Sequence, residues 1–407
     1  MEQVVGGLLS SGYSSGARNT MEPLLHYNVI ENLVCSDATV GNWILCGTVL
    51  RLALRMGYHR EPSAFPNITV FEAEMRRRVW MILQALDVLQ SIQMGIPRMI
   101  RDAECNTALP RNLRDADLDE GSESLPPSRP DSDITPILHM LKRHEMIKVI
   151  GNIFDMTLRN AEDQSPCTNP DFMRLDTLLR NTYHGLPDSL KLTSVSACLA
   201  ASPQEVWYRL SLSILYYKGL IILHRWHLMS YNEPFGSGVS MTKGATLIGT
   251  ECQQSLNVAE SIETCVQAAI DLLQYQDIVD CDSSHRVVFL PALGKLPSTI
   301  SHEFLMATSV LCKYIHHANT RLGGNNQIDH GLVQKATKAL VGARERWLQQ
   351  CSWSASAEKA TSLVDRVLSN HSELEQKNNS SESWAGLFEQ DVTSFMEGFH
   401  WDLGGDI

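Results

Sequence analysis

Three consecutive arginines, Arg76–Arg78, could bind a phosphate, a nucleic-acid backbone or an anionic substrate. The planar guanidinium suits these ligands because it donates two parallel hydrogen bonds to phosphate or carboxylate oxygens. Glu72 and Glu74 lie four residues before Arg76 and Arg78, which on a helix places each acid beside an arginine in the favourable order. We therefore expect these arginines to form structural ion pairs and not a ligand site.

Motifs for catalysis and metal binding are weak in this sequence. The one G-x-S-x-G run, residues 12–16, lies in a Gly/Ser-rich terminus without the strand and helix that position a hydrolase serine. There is no P-loop, no dinucleotide-binding glycine fingerprint and no H-E-x-x-H zinc motif. The ten cysteines are at least 11 residues apart, so no C-x2-C pair exists. We predict no catalytic residue, no metal site and no enzymatic activity.

Two weaker metal candidates remain, and we interpret both as structural. His224 and His227 have a spacing that could bind a metal on one helix face, but the sequence offers no third ligand nearby. We expect them to be interior polar residues with satisfied hydrogen bonds. The acids between Asp277 and Asp282 are too loosely spaced to form the convergent carboxylates that bind magnesium.

Composition excludes some classes of protein. Asp and Glu number 46 against 34 Lys and Arg, for a net charge of -12, which disfavours binding to nucleic-acid phosphates. The N-terminus lacks the basic start of a signal peptide, and the most apolar segment, 206–223, contains Arg209 and Lys218. The scattered cysteines are typical of an intracellular protein. We expect no membrane partner and a location in the nucleus or cytoplasm.

Apolar residues recur with helical spacing along nearly the whole chain, and Asn-Gly and Asp-Gly hairpin signals are absent. A capping box at Thr69 and Glu72 begins a helix that Gly95 and Pro97 end. The fold class we predict is all-α, a large irregular multi-helix bundle with acidic loops. The predicted helices are 39–56, 69–94, 136–158, 202–229, 252–277, 298–319, 331–350 and 357–369.

Changes in composition divide the chain into four parts. Residues 1–34 are expected to be poorly structured, and residues 35–370 to form one helical domain. Within that domain, the acidic, Pro/Ser-rich segment 110–136 has no periodicity and is expected to be a mobile linker. Residues 371–383 read as a second, solvated linker, followed by an acidic-aromatic tail at 384–407.

Several motifs in residues 50–113 resemble the middle homology region of the fungal zinc-cluster (Zn2Cys6-type) transcription factors. The residues that carry the resemblance are Gly57, His59, Glu74, Arg76, Arg77, Arg78, Trp80, Asp87, Gly95 and Pro97, and a second patch carries His224 and Arg225. The resemblance extends over roughly residues 35–350. It departs from the family pattern at Met81 and Ile96, where a second aromatic residue and an arginine are common.

The resemblance implies the regulatory domain of a nuclear transcription factor that controls RNA polymerase II transcription, for example of a metabolic gene set. It also implies response to a small-molecule effector or contact with protein partners. In that family a separate cluster of six cysteines and two zinc ions binds DNA. No cysteines here have its C-x2-C-x6-C spacing, so we identify no DNA-binding residue and no cofactor in this chain. DNA would be reached through another module or a partner, and zinc would be present only with such a cluster.

The tail combines acids with aromatic residues at helical spacing and contains no Lys or Arg. Such a segment can stay solvated until it docks into a groove of a coactivator, or it can fold back on its own domain. Both interpretations remain open. The candidate coactivator contacts are Trp384, Phe388, Phe395, Phe399 and Trp401.

Two alternatives to a regulatory domain also remain open. The chain could be an all-helical enzyme or small-molecule-binding protein, which convergent carboxylates in a deep cleft would favour. It could instead be a partner that dimerises with full-length zinc-cluster relatives and titrates them. The chain could also form a homodimer. For an effector, the expected locus is a cavity between the 69–94 and 204–229 helices.

Overall fold

Ten α-helices and no β-strand occur in the residues that the computed structural model describes, which are 20–159, 170–192, 201–229, 258–280, 298–321 and 329–376. The prediction of an all-α fold is confirmed for these ranges. The helices are α1 (Met21–Val34), α2 (Val40–Arg55), α3 (Val70–Met94), α4 (Pro136–Arg159), α5 (Pro170–His184), α6 (Pro203–Met229), α7 (Val258–Asp280), α8 (Ser298–Arg321), α9 (His330–Gln350) and α10 (Ala355–Gln376).

Local sequence signals set the ends of α3 and α6. In α3, the Thr69 hydroxyl accepts from the Glu72 amide at 3.1 Å, and the Glu72 carboxylate accepts from the Thr69 amide at 2.9 Å. Gly95 ends α3 with a left-handed φ of 68°. In α6, Ser202 and Glu205 make the same reciprocal pair of hydrogen bonds.

The core consists of a large and a small apolar cluster that α3 joins. Val79, Trp80 and Leu83 pack with α1 and α2 in the small cluster. One turn later, Val88 and Ile92 pack into the large cluster, which contains residues of α4 to α10. Helix α6 is buried on most of its faces within the large cluster, as its apolar sequence predicts. Helix α3 therefore connects the two clusters mechanically.

Part of the segment predicted to be poorly structured is helical. Residues 21–34 form α1, with Met21, Leu24 and Leu25 buried against the small cluster. The sequence obscured this helix because two of its core-facing residues are the amides Asn28 and Asn32. Residues 1–19 lie outside the described ranges. Helix α5, with Pro170 as its first residue, was also missed by the sequence interpretation.

The acidic segment 110–136 contains no α-helix before Pro136, and ion pairs connect several of its residues. Arg129 donates to Asp117 at 2.6 and 2.7 Å and to Asp133 at 2.6 Å, and Arg114 also binds Asp133. The Arg129 hydrogen bond lowers the pKa of Asp117 to about 2. Acids and arginines of the segment therefore neutralise one another locally.

Part of the predicted C-terminal linker is helical. Helix α10 continues to Gln376, so residues 371–376 of the predicted linker 371–383 are helical, and the rest of that linker is outside the described ranges.

Among the helices described, none has the length and apolar character needed to cross a membrane.

Candidate functional site

The first arginine of the triplet binds the end of a neighbouring helix. Met56 is the C-terminal cap of α2, and its carbonyl accepts a 2.5 Å hydrogen bond from Arg76. The Arg76 guanidinium also lies 4.1 Å from the centre of the Tyr58 ring, a cation–π distance. Helix C-termini carry partial negative charge, so this arginine neutralises the α2 dipole.

The other two arginines bind carboxylates and a carbonyl of the loops beside α3. Arg77 forms an ion pair with Glu61. Arg78 binds the fully buried Glu74 at 3.3 Å, Asp115 at 2.8 Å and the Leu113 carbonyl at 3.0 Å. All three guanidinium groups thus contact protein groups, and they connect α3 to α2 and to the acidic segment.

Asp87 organises the chain reversal that follows α3. Its carboxylate accepts from the amides of Met99 at 3.1 Å and Ile100 at 2.8 Å, just after the Gly95-x-Pro97 turn. Burial raises the pKa of Asp87, and the two amide hydrogen bonds oppose that rise. The indole of Trp80, on the same helix, is buried, and its ring centre lies 6.2 Å from that of His59.

His224 belongs to a buried hydrogen-bonded network between α5, α6 and α7. Its Nε2 lies 3.2 Å from Asp176, and its Nδ1 lies 2.7 Å from the hydroxyl of Ser261, which also contacts His227 at 2.8 Å. Arg180 donates to the same Asp176 carboxylate at 2.9 Å. Burial raises the pKa of Asp176, but the hydrogen bonds from His224 and Arg180 bring it below its ordinary value.

This network has the residue types of a hydrolase triad but lies in the protein interior. His224 is 0% exposed and His227 is 3% exposed, so a substrate has no access to them. Burial lowers the pKa of His227 to about 4, which keeps its imidazole neutral at pH 7. Arg225, on the next position of α6, is half-buried, and burial lowers its pKa to about 10. In the described part of the chain, no three His, Cys, Asp or Glu residues converge to hold a metal ion.

A cavity of about 380 Å³ lies beside α3. Its walls come from α1, α3, α4 and the first turn of α8. The sequence predicted α3 as one wall and the 204–229 helix as the other. In the structure, α1 and α4 line this cavity together with α3. The sequence prediction did not include α1.

Known proteins resemble both a part of this chain and most of its length. The family model of the fungal specific transcription factor domain matches residues 24–183, which extend from α1 to α5. The Zn(2)-C6 fungal-type transcription factor mpsB of Macrophomina phaseolina is 33% identical over 371 residues, covering 90% of this chain and 47% of the relative. Residues 24–183 of this chain are therefore a fungal-specific transcription factor domain.

Other relatives of this transcription factor domain have similar coverage. The Zn(2)-C6 fungal-type transcription factor pigI of Monascus ruber is 33% identical over 90% of the chain and 42% of the relative. The Equisetin cluster transcription factor eqxF of Fusarium heterosporum is 30% identical over 89% of the chain and 48% of the relative. The chain spans about half the length of these curated relatives. No solved structure shows a significant match.

The structure places the described site residues in two regions. The motif residues between Gly57 and Pro97 surround α3, and His224 and Arg225 lie on α6. The five aromatic residues proposed as coactivator contacts, from Trp384 to Trp401, lie outside the described ranges. Sequence reasoning missed Arg143 and His144 as cavity residues, because they were part of the predicted α4 stripe or next to it and carry no motif.

Proposed function

We propose that this chain is the effector- and partner-responsive regulatory domain of a nuclear transcription factor that controls a gene cluster. The supporting observation is the 30–33% identity over about nine-tenths of the chain to transcription factors, one of which is named for the equisetin cluster. On this proposal the domain contacts the RNA polymerase II machinery or a coactivator. DNA is reached through a zinc-cluster module or a partner that carries one.

The acidic-aromatic tail is proposed as the segment that contacts the coactivator. It carries aromatic residues beside acids, the composition that docks into coactivator grooves. The motif residues around α3 are proposed as scaffold, since their guanidinium groups bind Met56, Glu61, Glu74 and Asp115.

A reporter fusion tests this function. We expect the chain, fused to a heterologous DNA-binding domain in a fungal host, to change transcription of the reporter several-fold relative to that DNA-binding domain alone. Replacing Phe388, Phe395 and Phe399 together with alanine should abolish the change, because the tail loses its apolar contacts. The matched control is Trp353→Ala, which removes an exposed aromatic residue outside the tail.

Two results would count against the proposal. Reporter output equal to that of the DNA-binding domain alone would contradict a transcriptional role. Loss of output in the Trp353→Ala control, at unchanged protein level, would assign the effect to a surface other than the tail.

A further inference from the structure

The cavity beside α3 has mainly apolar walls and the size of a small-molecule site. Leu25 and Val29 of α1 line it, as do Ile82 and Leu86 of α3 and Met140 of α4. A volume of about 380 Å³ lies within the range of roughly 300–1,000 Å³ that is typical of ligand pockets. The walls alone would accept an apolar molecule.

The cation Arg143, on α4, also lines this cavity. Arg143 of α4 forms no hydrogen bond and no ion pair with any other residue in the described part of the chain. The carboxylate that acts on it electrostatically, Glu303, is already bound to the buried ammonium of Lys218 at 2.5 Å. The side chain of Arg143 is half-buried at the cavity wall. A guanidinium at this wall can bind an anion that enters the cavity, because it donates two parallel hydrogen bonds to carboxylate oxygens.

A second polar side chain of the cavity, His144, has a ring nitrogen that no described residue binds. His144, the next residue on α4, is only 8% exposed, and its Nδ1 makes no hydrogen bond with any described residue. Burial, followed by the charge of Lys148, lowers the pKa of His144 to about 4, so the ring is neutral at pH 7. In a neutral imidazole one nitrogen carries the proton and donates a hydrogen bond, and the other nitrogen accepts one. With its proton on Nδ1, His144 can donate to a carboxylate oxygen. Arg143 and His144 together offer a charge and a hydrogen bond at the α4 wall of an otherwise apolar cavity.

We propose that this cavity binds a small amphipathic molecule with an apolar body and one carboxylate. The apolar body lies against α1 and α3, and the carboxylate binds Arg143, with His144 completing its hydrogen bonds. This inference rests on the proposed regulatory function, since it supplies the effector of that function. Because the walls belong to α1, α3, α4 and α8, the ligand connects the small and large apolar clusters. A ligand that binds only the folded state stabilises it in proportion to its concentration.

The test uses the purified full chain with decanoate as the probe and 1-decanol as the uncharged probe of equal chain length. We expect calorimetry at pH 7.5 to show decanoate binding at least tenfold more tightly than 1-decanol, with one site per chain. Decanoate should also raise the melting temperature. Equal affinity for the two probes, or no decanoate binding, would overturn the proposal.

Two variants and one control locate the site. Arg143→Met should remove the preference for decanoate, because the cation that binds its carboxylate is replaced by an apolar side chain. Ile82→Phe should block both probes by filling the cavity, and it provides a second variant if Arg143→Met does not fold. Lys148→Met, which changes an exposed cation on the same helix, should keep the preference. An unchanged preference in Arg143→Met would overturn the assignment.

The tail is the rival occupant of the cavity, because it also combines aromatic residues with carboxylates. A peptide of residues 384–407 that competes with decanoate, together with decanoate binding that appears only after those residues are removed, would replace the proposed ligand with the tail. The reporter experiment is independent of these measurements. A chain that regulates the reporter but does not bind decanoate would refute the cavity proposal alone.

Discussion

Glu74 and Arg78 form a buried ion pair whose two charges have several partners each. Glu74 is fully buried and accepts from Arg78 and from the Arg111 amide at 3.4 Å. Arg78 in turn binds Asp115 and the Leu113 carbonyl. Buried charges are tolerated when each has a counter-charge and further hydrogen bonds, and both conditions hold here. The pair fixes the acidic segment onto α3.

Replacing Arg78 should therefore be costly. We expect Arg78→Met to lower the free energy of unfolding by about 3–5 kcal/mol, because Glu74 stays buried without its main counter-charge. Arg77→Met is the matched control. Arg77 pairs with the partly exposed Glu61 and approaches Glu74 only to 4.0 Å, so its loss should cost only about 1 kcal/mol. Urea unfolding of the two variants measures the difference. Equal losses would show that burial of Glu74 is not what matters.

Within an element, α2 ends at a glycine that its geometry requires. Gly57 follows the cap residue Met56 with a left-handed φ of 74°. A Cβ at this position would lie 2.9 Å from the Phe65 ring, closer than side chains approach. This explains why the resemblance includes a glycine before Tyr58 and His59. The turn positions Tyr58 beneath Arg76.

Alanine should affect the stability of the protein differently at Gly57, just after α2, and at Gly41, in the first turn of α2. Gly57→Ala should destabilise the protein by about 1–2 kcal/mol, the cost of a left-handed conformation for a residue with a Cβ, with the Phe65 contact adding to it. Gly41→Ala, in the first turn of α2, should be neutral or stabilising, because no atom lies within 4 Å of its added Cβ. Thermal unfolding of both variants is the measurement. A stable Gly57→Ala protein would contradict the strain argument.

At the scale of the whole molecule, the residues matched by the family model do not include all of the core that they pack against. Helices α4 and α5 pack closely on α6, where a Cβ on Gly219 would lie 2.8 Å from Leu179 and 3.3 Å from Ile150. Distant segments also hold each other, since the Ser298 amide binds the Cys35 carbonyl at 2.8 Å and Asp37 accepts from Ser354 and the Ala355 amide. The first five helices are therefore one side of a larger unit.

A fragment of residues 20–190 should not fold by itself. Without α6, the apolar faces of α4 and α5 would be exposed to water, and the lost burial would outweigh the remaining contacts. We expect the fragment to bind a hydrophobic dye and to lack the sharp unfolding transition of the full chain, as followed by near-UV circular dichroism. Cooperative unfolding of the fragment would show that the matched region is an independent domain.

The ends of most helices could be predicted because their signals are local. The Thr69–Glu72 capping box and the Gly95-x-Pro97 turn predict α3 to within one residue. Helix α1 could not be predicted, because its buried amides are satisfied by residues far along the chain. Gln90 donates to Asn32 at 3.1 Å across 58 residues of sequence. Hydrophobic periodicity treats such a helix as a polar segment.

The sequence by itself determined the all-α class, the helix caps, the acidic charge and the motifs that resemble the transcription factor family. Caps and periodicity depend on residues three or four positions apart, so they can be recognised before the chain folds. Only the tertiary structure decided which charges are compensated. Lys218 and Glu303 meet across 85 residues, because packing of whole helices, and not local spacing, sets the distance between them.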